Sequence, residues 1–234
     1  MIKRDYYGIG VFNGKEDEKT SKCFKEWVKM IKEVYDSRDR VGPVDWYGRP
    51  VDVGTVGIEE WEPECRKLVI GSWSEYEAFK DWWDENYVEI PFTKDQLVLD
   101  RRIIETRNIK FNSEYCRLVP KSVHDLITPD PNLPAIEQRM RGIKVINNEA
   151  RGRLQYKVYI TISGKPTHIG TYDDEIVAIM VREQAIENYI NMKSRELYGI
   201  ATFDTRSAMT DYRITPHHMD LKVEPIYDNS DFFE

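Results

Sequence analysis

Cysteine is scarce in this chain of 234 residues: Cys23, Cys65 and Cys116 make an odd count with no Cys-x-x-Cys pair. That pattern argues against a disulfide framework and against a structural zinc site. Histidine is nearly as rare, at 4 residues, two of them the adjacent His217 and His218, which follow Pro216 with no cysteine nearby and read as a loop pair. No run approaches the ~20 uncharged apolar residues of a membrane span. Met1-Ile-Lys-Arg-Asp5 leads into no apolar signal core, so the expectation is a soluble, cytoplasmic protein with no membrane partner. A Gly-rich phosphate loop and a Gly-x-Ser-x-Gly elbow are also missing, which removes the corresponding nucleotide-dependent and hydrolase readings. What the chain does have is apolar mass: 41% hydrophobic and 12% aromatic residues, with 6 Trp and 14 Tyr. That is too much for a solvated coil and enough for one or two domains.

The net charge of −7 hides a distribution. Residues 1–100 hold 15 basic and 22 acidic side chains, residues 101–172 hold 13 and 6, and residues 173–234 hold 6 and 13. A basic block between acidic flanks is the footprint of one confined polyanion-binding face.

Along the chain, Phe24, Trp27, Val28, Ile31 and Tyr35 recur at helical spacing over residues 21–36, with Ser21 as a candidate cap. Residues 38–55 read as an extended loop and Lys67–Gly71 as a short strand. Residues 74–86 read as a helix carrying Tyr76, Phe79, Trp82 and Trp83; Trp73 just before it is core together with Trp82 and Trp83, and the carboxylates of Asp81-Trp-Trp-Asp-Glu85 belong to a solvated face. Leu97–Leu99 is a strand at the edge of the basic block. Thr-Pro-Asp-Pro-Asn-Leu-Pro at 128–134 continues neither helix nor sheet and marks a boundary. Beyond it, residues 154–163 alternate with period two: Tyr156, Val158, Ile160 and Ile162 share one face, and Gln155, Lys157, Tyr159 and Thr161 the other. Ser163-Gly164-Lys165 is a hairpin turn and Thr167–Tyr172 the return strand. Asp173 or Asp174 caps a long helix with Ile176, Ile179, Met180, Glu183, Ile186, Tyr189 and Ile190 near one stripe.

Two segments resemble known families. Residues 142–190, through Gly164-Lys-Pro-Thr-His-Ile-Gly-Thr-Tyr-Asp173 and Ala178, are similar to the AP2 (integrase-type) DNA-binding domain, in which a three-stranded sheet lies in the major groove. His168 stands where that family has Trp or His, and Pro166 where it often has arginine. Residues 8–127 resemble a phage-encoded branch of the HNH homing-endonuclease superfamily. The features that carry this are Gly8-Ile-Gly10, the Phe24/Trp27/Met30/Tyr35 helix, Trp73 with Tyr76-x-x-Phe79-x-x-Trp82, and Leu99-Asp100 leading to Asn108, Phe111, Cys116 and Val119-Pro120.

The second resemblance implies a ββα unit around a divalent metal such as Mg²⁺. Asp100 matches the aspartate, His124 the ligand on the helix, and Tyr115 the position of a loop-holding Asn; Arg101 occupies the place of the general-base histidine. An imidazole takes a proton near neutral pH whereas a guanidinium stays charged, so Arg101 departs from that chemistry. The candidate catalytic residues are Asp100, Arg101 and His124, and the candidate metal ligands are Asp100 and His124, with Glu105 the nearby carboxylate. The residues themselves equally allow a structural role, with Asp100 paired to Arg101, Arg102 or Arg117 and His124 lining its helix.

The candidate DNA-binding set is Arg139, Arg141, Lys144, Arg151, Arg153, Lys157 and Lys165, with Tyr159, Thr161 and His168 interleaved and Glu149 the lone acid among them. The expected fold class is α+β: an HNH-like ββα domain over 1–127, a Pro-rich linker over 128–138, an AP2-like three-stranded antiparallel sheet packed on one helix over 139–198, and an acidic tail over 199–234. The tail, ending Asp-Phe-Phe-Glu, is either a frayed terminus, a docking segment for a protein partner, or a strip that folds back on the basic face. The implied function is double-stranded DNA binding by a phage or mobile-element protein of HNH/AP2 type; as an enzyme it would be a metal-dependent endonuclease. The alternatives are a catalytically silent DNA-binding or regulatory protein, or a phage factor that contacts a host machine through protein–protein contact.

Overall fold

The computed structural model describes residues 6–36, 70–148 and 152–214, apart from positions 107, 109, 131 and 134. The expected loop at 38–55, Cys65, Arg151 and the His217-His218 pair lie outside the described residues, as does the tail beyond Ile214.

The architecture is mixed α+β with two small antiparallel sheets. After a 3-10 turn at Glu16–Thr20 comes helix α1, Lys22–Asp36, whose start is capped by Ser21: its Oγ accepts from the Phe24 N–H at 3.0 Å. Of the positions expected to form the strand at 67–71, Ile70 and Gly71 are helical, leading into a 3-10 turn at Gly71–Ser74 and helix α2, Tyr76–Asn86. This corrects the strand reading: the segment swings Trp73 inward, where its carbonyl accepts from the indole N–H of the fully buried Trp27 at 2.8 Å.

Strands β1, Leu97–Asp100, and β2, Arg117–Pro120, pair with Leu99 opposite Leu118 and Val98 opposite Val119. The period of two makes this pair a partition. Leu97, Leu99 and Leu118 join an aromatic core with Phe24, Trp27, Tyr76, Phe79 and Trp83. Val119 joins a second core with Val123 and Leu126 of helix α3, Lys121–Ile127.

A single turn of helix, α4 (Ala135–Gln138), precedes the three-stranded sheet of β3, Ile143–Asn148, β4, Arg153–Ile162, and β5, Lys165–Tyr172, in that spatial order. Ser163 and Gly164 both take positive φ, 49° and 80°, as the two central positions of a tight hairpin turn require. Helix α5, Glu175–Glu196, begins at Asp174, whose Oδ1 accepts from the Val177 N–H at 2.9 Å. It packs on β4 and β5, and its buried residues include Ala178, Ala185, Ile186 and Tyr189. Of the expected stripe, Ile179, Ile186, Tyr189 and Ile190 are buried, while Ile176 is 64% exposed and the buried surface widens to take in Ala178, Val181 and Ala185. The reason is that α5 is covered on several sides, by the sheet, by α3 and by the next helix, α6 (Phe203–Asp211).

Helix α6, Phe203–Asp211, corrects the tail boundary at 199. Thr202 caps it, with Oγ1 accepting from the Thr205 N–H at 3.3 Å, and Met209 and Tyr212 complete the second core. That core takes Ile103, Val119 and Val123 from before the proline-rich segment and Ile160, Ile186 and Ile190 from after it. The segment at 128–138 thus separates elements in sequence, while the second core spans it in space. Among the described residues no helix is long and apolar enough to cross a membrane.

Candidate functional site

Two groups of candidate residues are brought together. The first is Asp100 with His124. Asp100 ends β1 on the face of the partition that carries Val98 and Val119, and α3 follows β2 directly, so His124 comes back over it. His124 Nδ1 lies 2.6 Å from Asp100 Oδ2. The other carboxylate oxygen accepts from the backbone N–H groups of Arg102 at 2.6 Å and Ile103 at 2.9 Å. Asp100 is only 1% exposed, and these donors offset the cost of burying it. The other ring nitrogen of His124, Nε2, faces the Thr128 hydroxyl at 3.4 Å.

A divalent metal implied by the HNH resemblance does not fit this donor set. Both oxygens of Asp100 are committed, Glu105 is exposed, and among the described residues no three His, Cys, Asp or Glu side chains cluster as a metal would require. What the pair can do chemically is present an oriented imidazole, an aspartate–histidine dyad.

Arg101 is not aimed at this dyad. Its guanidinium pairs with Glu33 of α1 at 3.0 Å, donates to the Asn108 carbonyl, and stacks over Phe111 at 5.4 Å from the ring centre. Arg102 shares Glu33 at 3.4 Å, and burial together with the neighbouring Arg101 charge pushes its pKa down. The loop-holding role that the resemblance puts at Tyr115 is filled by Asn108, 5% exposed. Its amide donates to the carbonyls of Arg101 at 2.9 Å and Lys110 at 2.8 Å, and accepts from the Lys110 N–H at 2.9 Å. Its Asx-type bond to a residue two positions on was the available sequence signal.

The second group is the outward face of the three-stranded sheet. Register puts Lys144 directly opposite Lys157, Lys157 opposite Thr171, Tyr159 opposite His168 and Thr161 opposite Pro166. A bulge between Val158 and Tyr159 makes this possible: Ile169 is the extra residue and packs toward the second core, so His168 and Thr171 can both stay outside. The Tyr159 and His168 rings are 5.1 Å apart, and the Thr171 hydroxyl faces His168 Nε2 at 3.4 Å.

Other members of the predicted set fall elsewhere or are already engaged. Lys165 pairs with Ile162, which puts it on the helix side at the hairpin end. Arg153 shares the outward face with Lys157 by strand alternation but is tied to Asp173 at 2.7 Å. Arg139 is exposed in the turn before β3. Arg141 donates to the Thr128 carbonyl at 2.6 Å, closing the end of α3 rather than facing outward. Arg151 is outside the described residues.

No protein family, curated protein or solved structure matches the chain.

Proposed function

We propose that this protein binds double-stranded DNA through the outward face of β3–β4–β5. The observation that carries the reading is Lys144 opposite Lys157. Like charges at directly paired positions repel, at a cost on the order of several tenths of a kcal/mol. Among the described residues neither lysine has a carboxylate within ion-pair distance. A phosphate backbone turns that repulsion into attraction, and Tyr159, Thr161 and His168 supply flat and hydroxylated groups for base edges. The β1–β2–α3 order and the three strands on one helix are the elements that an HNH unit followed by an AP2-like unit requires, which supports a phage or mobile-element protein of that type.

Fluorescence anisotropy of a labelled duplex across a salt series tests the reading. Replacing Lys144 and Lys157 together with Ala is expected to weaken binding and lower the slope of log K against log salt by about two. An unchanged slope rejects the sheet face, and failure of the wild-type chain to shift any duplex at low salt transfers the function to protein–protein contact.

The 2.6 Å contact of His124 with Asp100 favours a second activity, strand cleavage, in which His124 Nε2 exchanges its Thr128 contact for the attacking water and takes its proton as the water oxygen bonds to phosphorus, the P–O bond to the leaving strand breaks and the leaving oxygen is protonated by solvent. Nicking of supercoiled plasmid, with and without Mg²⁺ or Mn²⁺, that is lost in both Asp100→Ala and His124→Ala would establish it. No nicking under either condition leaves a catalytically silent DNA-binding protein.

A further inference from the structure

β3 is shorter than β4, and the place where it stops is a cavity. The last β3 pairing is Ile143 with Val158, and Gly142 then adds one bond, its carbonyl accepting from the Tyr159 N–H at 2.8 Å. Beyond that point, among the described residues, the edge of β4 has no strand beside it. Alternation along a strand aims the Thr161 N–H the same way as that of Tyr159, toward this open edge. A cavity of about 580 Å³ lies there, walled by the β4–β5 hairpin, α3, α5 and the loop before β1. Gly142, at φ +81°, borders it: a Cβ there would collide with the Tyr159 carbonyl oxygen and stand 3.5 Å from Arg182 Nε.

The lining is cationic. Lys94, Lys121, Arg141 and Arg182 face two carboxylates, Asp95 and Asp125. Both acids are already engaged. Asp95 accepts from the Ser122 N–H at 2.8 Å and its hydroxyl at 2.6 Å, and Asp125 pairs with Lys121. Arg182 is left over. Among the described residues its buried Nε has no hydrogen-bond partner and its guanidinium forms no ion pair, Glu183 acting on it only through its charge. Burial, followed by the Arg141 charge, lowers its pKa. A buried N–H without an acceptor beside a second guanidinium is a cost to the fold unless something anionic arrives.

The geometry points to a phosphate-binding pocket in which Arg182, Arg141 and the Thr161 N–H receive the oxygens of a phosphate group, carried either by a free nucleotide or by a DNA backbone. The volume is that of a site for a nucleotide-sized ligand. This pocket does not depend on the outward lysines, so it can stand if the sheet-face reading falls.

The test uses the full-length protein. Inorganic phosphate or a 5′-mononucleotide is expected to raise the melting temperature of the wild type, relative to chloride at equal ionic strength. Arg182→Met should lose that response, with affinity falling roughly 10- to 100-fold as a charge-assisted contact disappears, while its melting temperature without phosphate stays the same or rises. A variant with lowered ligand-free stability and an unchanged phosphate response would mark Arg182 as structural and overturn the site. Should Arg182→Met fail to fold, the Arg182 Nε–H resonance of the ¹⁵N-labelled wild type decides: it shifts with phosphate and not with chloride, or the pocket is rejected. Lys144→Ala/Lys157→Ala should keep the phosphate response, which separates this test from the duplex experiment. Displacement of the mononucleotide by duplex assigns the pocket to backbone phosphate, and its retention assigns it to a free nucleotide.

Discussion

The Tyr189 hydroxyl of α5 donates to Ser122 Oγ of α3 at 3.1 Å, and Ser122 donates in turn to Asp95, which Lys193 approaches at 3.8 Å. This buried relay joins elements 67 residues apart, from either side of the proline-rich segment. Tyr189→Phe is expected to destabilise the protein by about 1 kcal/mol, the usual net worth of one such bond. Ser122→Ala should cost more, because Asp95 loses the side-chain donor and Tyr189 its acceptor. Because the second core is shared, urea denaturation followed by tryptophan fluorescence and by far-UV circular dichroism should give one coincident transition; two separated transitions would show that the halves fold independently.

Asp100 carries three hydrogen bonds from a buried position. Asp100→Ala strands the N–H groups of Arg102 and Ile103 together with His124, and the loss should be on the order of 3 kcal/mol in urea titrations. Asp100→Asn keeps an acceptor for the two backbone groups and should cost distinctly less. Equal losses in the two variants would show that charge, rather than backbone pairing, fixes the turn.

Burial pushes the thiols of Cys23 and Cys116 up from 9.0 to about 12. The sign follows from linkage. Below pH 9 both folded and unfolded thiols are neutral and the stability is intact; between about pH 9 and 12 the unfolded thiol ionises while the folded one does not. Stability should therefore fall as pH rises through that window, by roughly 1.4 kcal/mol per pH unit for each thiol. Urea midpoints at pH 8, 9, 10 and 10.5 measure the decline, and Cys116→Ala should make it shallower. For the same reason neither thiol should react with a disulfide reagent at pH 8 until the protein unfolds.

Arg153 and Lys157 lie on the same strand yet differ in availability. The first is held by Asp173 at 2.7 Å, and the second has no ion-pair partner among the described residues. Lys157→Ala should weaken duplex binding more than Arg153→Ala does. Asp173→Asn should strengthen binding a few-fold by releasing Arg153. Anisotropy titrations at fixed salt resolve the order.

Much of this arrangement is legible where local chemistry and tertiary packing agree. Ser21 and Asp174 declare helix starts, Trp27 and Ile31 a buried stripe, and the alternation from Gln155 to Ile162 a sheet with two unlike faces. Reading fails where one residue serves several neighbours. Helix α5 is covered on more than one side, so no single stripe describes it, and Ile176 ends up exposed. Helix α6 has little periodic pattern because only Thr205 and Met209 are buried within it. Of the candidate dyad, the pairing of Asp100 with His124 follows from strand–strand–helix order. The commitment of Arg101 to Glu33, 68 residues away, has no local signal. The same holds for Arg182, whose environment is assembled from four separate stretches of chain.

The partition formed by β1 and β2 also bears on the order in which the chain folds. Two four-residue strands with apolar side chains on both faces offer no side to water, so they gain little until material is present on each side. The hairpin of β4 and β5 with α5 is local in sequence and can form early. Closing the partition needs contacts such as Trp27 with Trp73 and Tyr189 with Ser122, across 46 and 67 residues, whose loop-closure entropy must be met first. Assembly around β1–β2 is therefore expected as the slow, late phase of refolding, and mutations at Val98 or Val119 should act mainly on the unfolding rate.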